Sequence, residues 1–283
     1  MSAVHHGIVV GLAFALTVLS PARGHAEGPT DAGAAVSVTA SATTAVHITS
    51  HGRAVRVVGA ARSTEVRVKG GGALSVQVSE DHARVSVVAS PQSGEEPIEV
   101  SVPAASTVEV RTIRGEITVS DVTGAIRAST VDAAIRITGA PKEVETATVT
   151  GNVQLELAVC DVRANSVGGP IHVQCGGKSS RVHGKTVSAP VTVKAVSFER
   201  VELRSVSGSV ETEGAVKGGG PFELRSHSGN VSLTVPKGTP LVVDASSRGR
   251  VDVKSAAPDA GARASAPTVT LRSFSGNVTV TEK

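Results

Sequence analysis

Cleaving a polysaccharide requires carboxylates that converge on one bond, commonly with Lys, Arg or calcium beside them. Beyond residue 26 the aspartates are Asp31, Asp81, Asp121, Asp132, Asp161, Asp244, Asp252 and Asp259. They fall at unrelated positions of the chain's internal repeat, so no acid–base pair is drawn together. The calcium-binding nonapeptide of β-rolls is absent as well. His47 and His51 stand four apart in strand-like sequence and share a face there. Two ligands are fewer than the three or four protein ligands of a zinc site, so both read as surface histidines. No catalytic residue, cofactor-binding residue or metal ligand is assigned, no cofactor is expected, and the chain does not read as an enzyme.

The remaining chemistry is that of thiols. Cys160 and Cys175 are the only two cysteines. In an oxidising compartment an even pair suggests a disulfide; buried free thiols are the alternative. Their spacing places them in adjacent coils a few residues out of register, with Gly176-Gly177 available for a bend.

The element that carries all these residues is a repeat. Val108-Glu-Val110-Arg-Thr112-Ile113-Arg-Gly115-Glu-Ile117-Thr-Val119 restarts at Ile126, Val144, Val162, Val182, Val201, Phe222, Val242 and Val269. Position five is a hydroxyl in every copy: Thr112, Thr130, Thr148, Ser166, Thr186, Ser205, Ser226, Ser246 and Ser273. Position eight is always small: Gly115, Ala133, Gly151, Gly169, Ala189, Gly208, Gly229, Gly249 and Gly276. Apolar residues alternate at positions one and three, then at ten and twelve. That gives two short strands whose inward parity changes between them, which one continuous strand cannot do. A bend must intervene, and position eight supplies residues that tolerate it. The hydroxyl before it can bond a backbone group that the turn leaves unpaired.

A helix is not competitive, because Val, Thr, Ser and Gly dominate and no period near 3.6 persists. Antiparallel hairpins rarely return one motif every 18 to 21 residues. The expected fold is all-β: a parallel β-solenoid (β-helix) of about nine coils of 18–21 residues, in which like residues stack about 4.8 Å apart. The alternation Glu109, Arg127, Glu145, Arg163 at position two places opposite charges over one another. Position four carries Arg111, Lys185, Arg204, Arg225 and Arg272, read as a solvated face in preference to a broken basic stripe, and His227 stands at position six between Val206 and Phe274, read as an exposed corner in preference to a binding residue.

Gly7 to Leu19 is an apolar run of 13 residues, too short for the roughly 20 that cross a bilayer. With the small residues Gly24 and Ala26 it reads as an export signal over residues 1–26. Signal cleavage then leaves no transmembrane segment. The rest of the chain carries 27 Lys+Arg and 25 Asp+Glu once Arg23 is removed from the totals of 28 and 25. That near balance lacks the basic footprint of a nucleic-acid partner. Phe198, Phe222 and Phe274 are the only aromatics beyond the leader, which disfavours aromatic sugar platforms and protein hot spots. Residues 27–35 form a flexible lead, 36–103 a less regular N-terminal β cap, and 104–283 the solenoid. A loop at 255–267 explains the long last spacing.

The Val-Pro lead-ins at Val102-Pro103 and Val235-Pro236 accompany a recurring hydroxyl–Gly element. It reads Ser205-Val-Ser-Gly-Ser-Val210, Ser226-His-Ser-Gly-Asn-Val231 and Ser273-Phe-Ser-Gly-Asn-Val278. Together they resemble the bacterial putative-adhesin family, a β-helical domain of unknown function similar to domains of cell-envelope stress proteins. The resemblance spans roughly 36–283 and implies the fold more than a role; it carries over no catalytic residue. Ala133 and Ala189 in place of Gly, with Pro170 and Pro190, depart from the pattern.

Three functions follow as expectations. The first is a non-catalytic exported interaction module, adhesin-like, presenting a rigid repetitive β surface. Its partner would be an envelope or surface component, protein or polysaccharide, or another copy of itself through self-association. The second is an accessory of envelope-stress signalling. The third, ranked lowest, is a carbohydrate-active β-helix enzyme. The expected address is periplasmic, cell-surface or extracellular.

Overall fold

The computed structural model describes residues 35–283 apart from 42, 72, 73, 80, 81, 90–95, 178, 218, 219 and 255–265. The expected signal, most of the lead, Asp31, Asp81, Asp259 and nearly all of the loop at 255–267 lie outside the described residues.

The repeat folds as expected, as stacked coils of two parallel strands. In the first row of strands run Thr107–Thr112, Ala125–Ser129, Glu143–Thr148, Cys160–Ser166 and Ser180–Lys185. The second half of Val191–Ser205 and then Phe222–Ser226 continue the row. The second row holds Ile117–Ser120, Ile135–Gly139, Val153–Leu157, Ile171–Cys175, the first half of Val191–Ser205, Val210–Val216 and Val231–Val235. Val108, Ile126, Val144, Val162, Val182, Val201, Phe222 and Val269 pair one over the next in a single column. Their side chains point inward with those of positions three, ten and twelve, and the core between the two rows is almost entirely Val, Ile and Leu. Parallel pairing is satisfied on both edges of every interior strand, and β-branched residues suit that half-buried surface.

The stack is longer than the nine repeats. Ala45–Ser50 with Val55–Ala60, and Arg84–Ala89 with Ile98–Pro103, form two further coils of the same kind. The region 36–103 is therefore part solenoid and part cap. The cap proper is antiparallel: Glu65–Lys69 pairs with Ile98–Pro103 and with Ala35–Thr39, and Leu74–Val78 pairs with Arg84–Ala89. Arg53 sits at position eight of the first coil and is buried. Its guanidinium donates to the carbonyls of Glu96 and Gly71, both at 2.6 Å, tying the coil to the segments around it.

Spatial order departs from chain order at both ends. The coil at 45–60 lies between the coil at 84–103 and the coil at 107–120. Likewise Thr268–Ser273 lies between Phe222–Ser226 and Val242–Ser246, and Val278–Glu282 between Val231–Val235 and Val251–Lys254. Among the described residues the coils at 45–60 and 268–282 are thus each enclosed, while those at 84–103 and 242–254 lie outside them.

One register expectation is corrected. Val243, not Val242, pairs with Val269, and Ser246 pairs with Arg272. Ser246 is exposed and leaves the hydroxyl column to Ser247. Gly249 still meets the Gly276 carbonyl, because this corner is one residue shorter than the others.

Candidate functional site

The corner between the two rows is built by the hydroxyl column. Thr112, Thr130, Thr148, Ser166, Thr186, Ser205, Ser226 and Ser273 are all buried, and Ser50 extends the column. The backbone N–H groups of Gly151, Gly169, Gly208, Gly229 and Gly276 donate to the hydroxyl three residues earlier, at 2.9–3.0 Å. Thr112 and Thr186 instead donate to the carbonyls of Gly115 and Ala189, both at 2.6 Å. Along the axis the hydroxyls of Thr112 and Thr130, and of Thr186 and Ser205, lie 3.0 Å apart, with Thr112 and Thr186 free to accept there. Ser226 and Ser273 donate to the carbonyls of Gly208 and Gly229 in the neighbouring coil. Position eight packs directly on the carbonyl of the adjacent coil at Gly115, Gly151, Gly169, Gly208, Gly229 and Gly276.

With its polar atoms satisfied inward, the corner turns position six outward. Ile113, Val131, Val149, Val167, Val187, Val206 and Phe274 are each between 42% and 51% exposed. They form one file: the N–H of Val131 donates to Ile113 O, Val149 to Val131 O, Val187 to Val167 O and Val206 to Val187 O. His227 donates to Val206 O and Phe274 to His227 O, continuing the line. Toward its end the Phe274 ring stacks on His227 at 4.8 Å between centroids, and Arg248 lies 4.2 Å above Phe274. The file ends in a cation–π contact.

Charge gathers here. Across positions four to seven of the nine coils stand Arg111, Arg114, Lys185, Arg204, Arg225, Arg248 and Arg272, against one acid, Asp132. Acidic side chains on the neighbouring face hold several of them in place. Arg204 meets Glu202 at 2.8 Å and Glu223 at 3.3 Å, Arg225 meets Glu223, and Arg272 meets Asp244 at 2.7 Å. Between the position-four cations and the position-six file lies a shallow groove of about 520 Å³. Lys185, Arg204 and Arg225 form one wall, and Val187, Val206 and His227 the other. Such a groove can hold an anion against an apolar flank.

The charge ladder expected at position two is present between Arg127 and Glu145, at 3.2 Å. Glu109 turns instead to Arg111 at 2.6 Å and His47 at 2.8 Å. Burial of Glu109 favours its neutral form, but the hydrogen bond and charge of Arg111, with His47 beside it, outweigh this and hold the carboxyl below the usual range. His47 thus pairs with Glu109. Among the described residues no group of three His, Cys, Asp or Glu converges. Cys160 and Cys175 are joined in a disulfide with their Cα atoms 5.8 Å apart. The bridge does not link adjacent coils. Cys160 opens one strand and Cys175 closes the next strand of the same coil, so the bond closes that coil on itself.

Sequence reasoning missed Arg53, Ser247, Arg248 and the position-six file. The file had a signal in the repeat itself, since position six is apolar in seven of the nine copies.

No curated protein matches the chain significantly. A crystal structure of a "putative cell adhesion protein" from Clostridium sporogenes ATCC 15579 overlaps 89% of this chain and 100% of its own, with 9% identity and a TM-score of 0.24. At that score the likeness carries no argument. The family model does: residues 30–282 match Toastrack DUF4097, nearly the whole chain. The chain belongs to the Toastrack DUF4097 family, a family defined by a domain of unknown function.

Proposed function

We propose that the protein is a non-catalytic interaction module of the cell envelope, adhesin-like in mode, that uses its solenoid corner as the contact surface. One observation carries this reading: a continuous file of half-exposed apolar side chains, flanked by cations, on a surface where the core does not require them. Contiguous apolar surface on a soluble protein generally marks a contact site. The ladder of hydrogen-bonded hydroxyls beneath the file holds it rigid, so little ordering is needed on binding. Export fits this role, as does the disulfide, which persists in oxidising compartments. The test is retention of the purified protein on isolated bacterial envelopes, compared with a variant carrying Val167→Ser, Val187→Ser and Val206→Ser. Retention that falls at least about tenfold in the variant supports the reading, given roughly 1 kcal/mol for each aliphatic side chain withdrawn from the interface. Equal retention, or none by either protein, refutes it.

A further inference from the structure

The groove and file have a chemistry specific enough to name a partner, which deepens the interaction-module reading and rests on it. We propose that the corner seats the protein on an anionic phospholipid surface. Three observations converge. The file from Ile113 to Phe274 is continuous from coil to coil, with eight residues spaced about 4.8 Å apart, so it extends about 34 Å. A continuous line of that length, with its apolar members similarly exposed, can meet a bilayer surface through several side chains at once. Positions four to seven carry seven cations and one acid; acids at position two pair with Arg111, Arg204, Arg225 and Arg272, which leaves Arg114, Lys185 and Arg248 against Asp132 as a net excess, whereas the whole chain carries 28 and 25. That local excess is the electrostatic pattern that draws a surface toward anionic headgroups. Finally, the groove offers Lys185, Arg204 and Arg225 on one wall and Val187, Val206 and His227 on the other. A phosphate on the first wall and the glycerol and upper acyl carbons on the second would satisfy both.

A second copy of the chain fits less well. Two corners brought face to face would oppose their cations. The exposed apolar file offers on the order of 500 Å², below the roughly 800 Å² per partner of a stable interface. Nor does the fold need apolar residues here: His227 and Arg248 occupy the same file without disturbing it.

The test is sedimentation of the purified protein with vesicles of equal parts phosphatidylglycerol and phosphatidylcholine, and with phosphatidylcholine alone. Partition into the anionic vesicles only, weakening as salt is raised, is expected. Val167→Ser with Val187→Ser and Val206→Ser should lower partition at least about tenfold. Lys185→Gln with Arg248→Gln, which leaves the apolar file intact, should lower it to a similar extent. The absence of binding to anionic vesicles, equal binding to neutral ones, or binding unchanged in both variants overturns the proposal. So does a dimer in analytical ultracentrifugation that the valine variant dissolves, which would assign the file to a second copy. If vesicles fail while envelopes still retain the protein through the valine file, only the lipid assignment falls and the interaction module stands.

Discussion

Replacing Gly169 with alanine tests the close packing of coil on coil at position eight. The new methyl carbon would lie 2.6 Å from the Gly151 carbonyl carbon and closer still to its oxygen. Carbon atoms rest about 3.5–4.0 Å apart, so the two coils must part locally by about 1 Å. Parting them strains the Gly169 N–H bond to Ser166 Oγ at 2.9 Å and the Gly168 N–H bond to Val149 O at 2.6 Å. Overpacking a rigid interior costs about 1–3 kcal/mol, and weakening a buried hydrogen bond adds about 1 kcal/mol. Ala133 and Ala189 carry this methyl natively at the same position, so the corner can be rebuilt around it. That favours the lower part of the range, about 2 kcal/mol.

The neighbouring glycine is the control. A methyl at Gly168 meets nothing closer than Val149 O at 3.6 Å and Ser188 Oγ at 3.8 Å, ordinary contacts. Gly168→Ala should therefore change stability by less than about 0.5 kcal/mol. Thermal unfolding followed by circular dichroism should place Gly169→Ala about 4–8 °C below the parent. If the two substitutions unfold together, the coils do not touch through position eight.

Further perturbations reach other parts of the molecule. Reducing the Cys160–Cys175 bond, which spans 15 residues, should cost about 3 kcal/mol and show in urea midpoints with and without reductant; unchanged midpoints would remove its role. Ser247→Ala should cost about 1 kcal/mol, because Ser247 donates to Gly276 O and accepts from Gly249 N–H. Ser246→Ala should be silent in the same melt, and the reverse ranking would return Ser246 to the hydroxyl column. Hydrogen bonds from Lys283 and Lys194 hold Glu213 below the usual carboxylate range. A depressed folded pKa stabilises above the unfolded value of about 4.3 and is lost as pH falls through the folded one. The deficit of Glu213→Gln, under about 1 kcal/mol at pH 7, should shrink progressively as pH falls below about 4, and a deficit unchanged in acid would contradict the ionic origin.

The repeat is legible in the sequence because two independent constraints fix it. Core burial selects positions one, three, ten and twelve, and coil-to-coil contact selects position eight, so the copies from Val108 through Phe222, and the one at Val269, align on residue types alone. The register at Val242 does not, since Leu241-Val242-Val243 satisfies alternation in either phase. A one-residue slip is resolved by burial, yet Val242 and Val243 are both only half buried in this outermost coil. The coil from Val46 obeys the repeat too, with Ser50 at position five and Val55 and Val57 at ten and twelve. Arg53 in the glycine position conceals it, because there the close approach is replaced by a buried guanidinium reaching out to carbonyls. The exchange of coil order at the two ends leaves no mark in the sequence, since every coil offers the same faces above and below.

That exchange bears on function through stiffness. A stacked array exchanges stability mainly between neighbours, so it loosens from its ends. In this molecule the coil at 268–282 has a partner on each side, and Lys283 beyond it is bonded besides. The Lys283 N–H donates to Val235 O at 3.0 Å, and its ammonium meets Glu213 at 3.0 Å. The outermost coil at 242–254 is continuous with the chain at both of its ends, so opening it means forming a closed loop instead of releasing a free strand. Loop formation recovers less chain entropy than release of an end, which makes fraying less favourable at the place where a solenoid is weakest. The apolar file runs almost to this coil, where Arg248 stacks on Phe274. Enclosing the coil at 268–282 between two neighbours therefore holds the file in register up to Phe274, and a surface can engage a line of side chains only as long as the rungs beneath them hold their spacing.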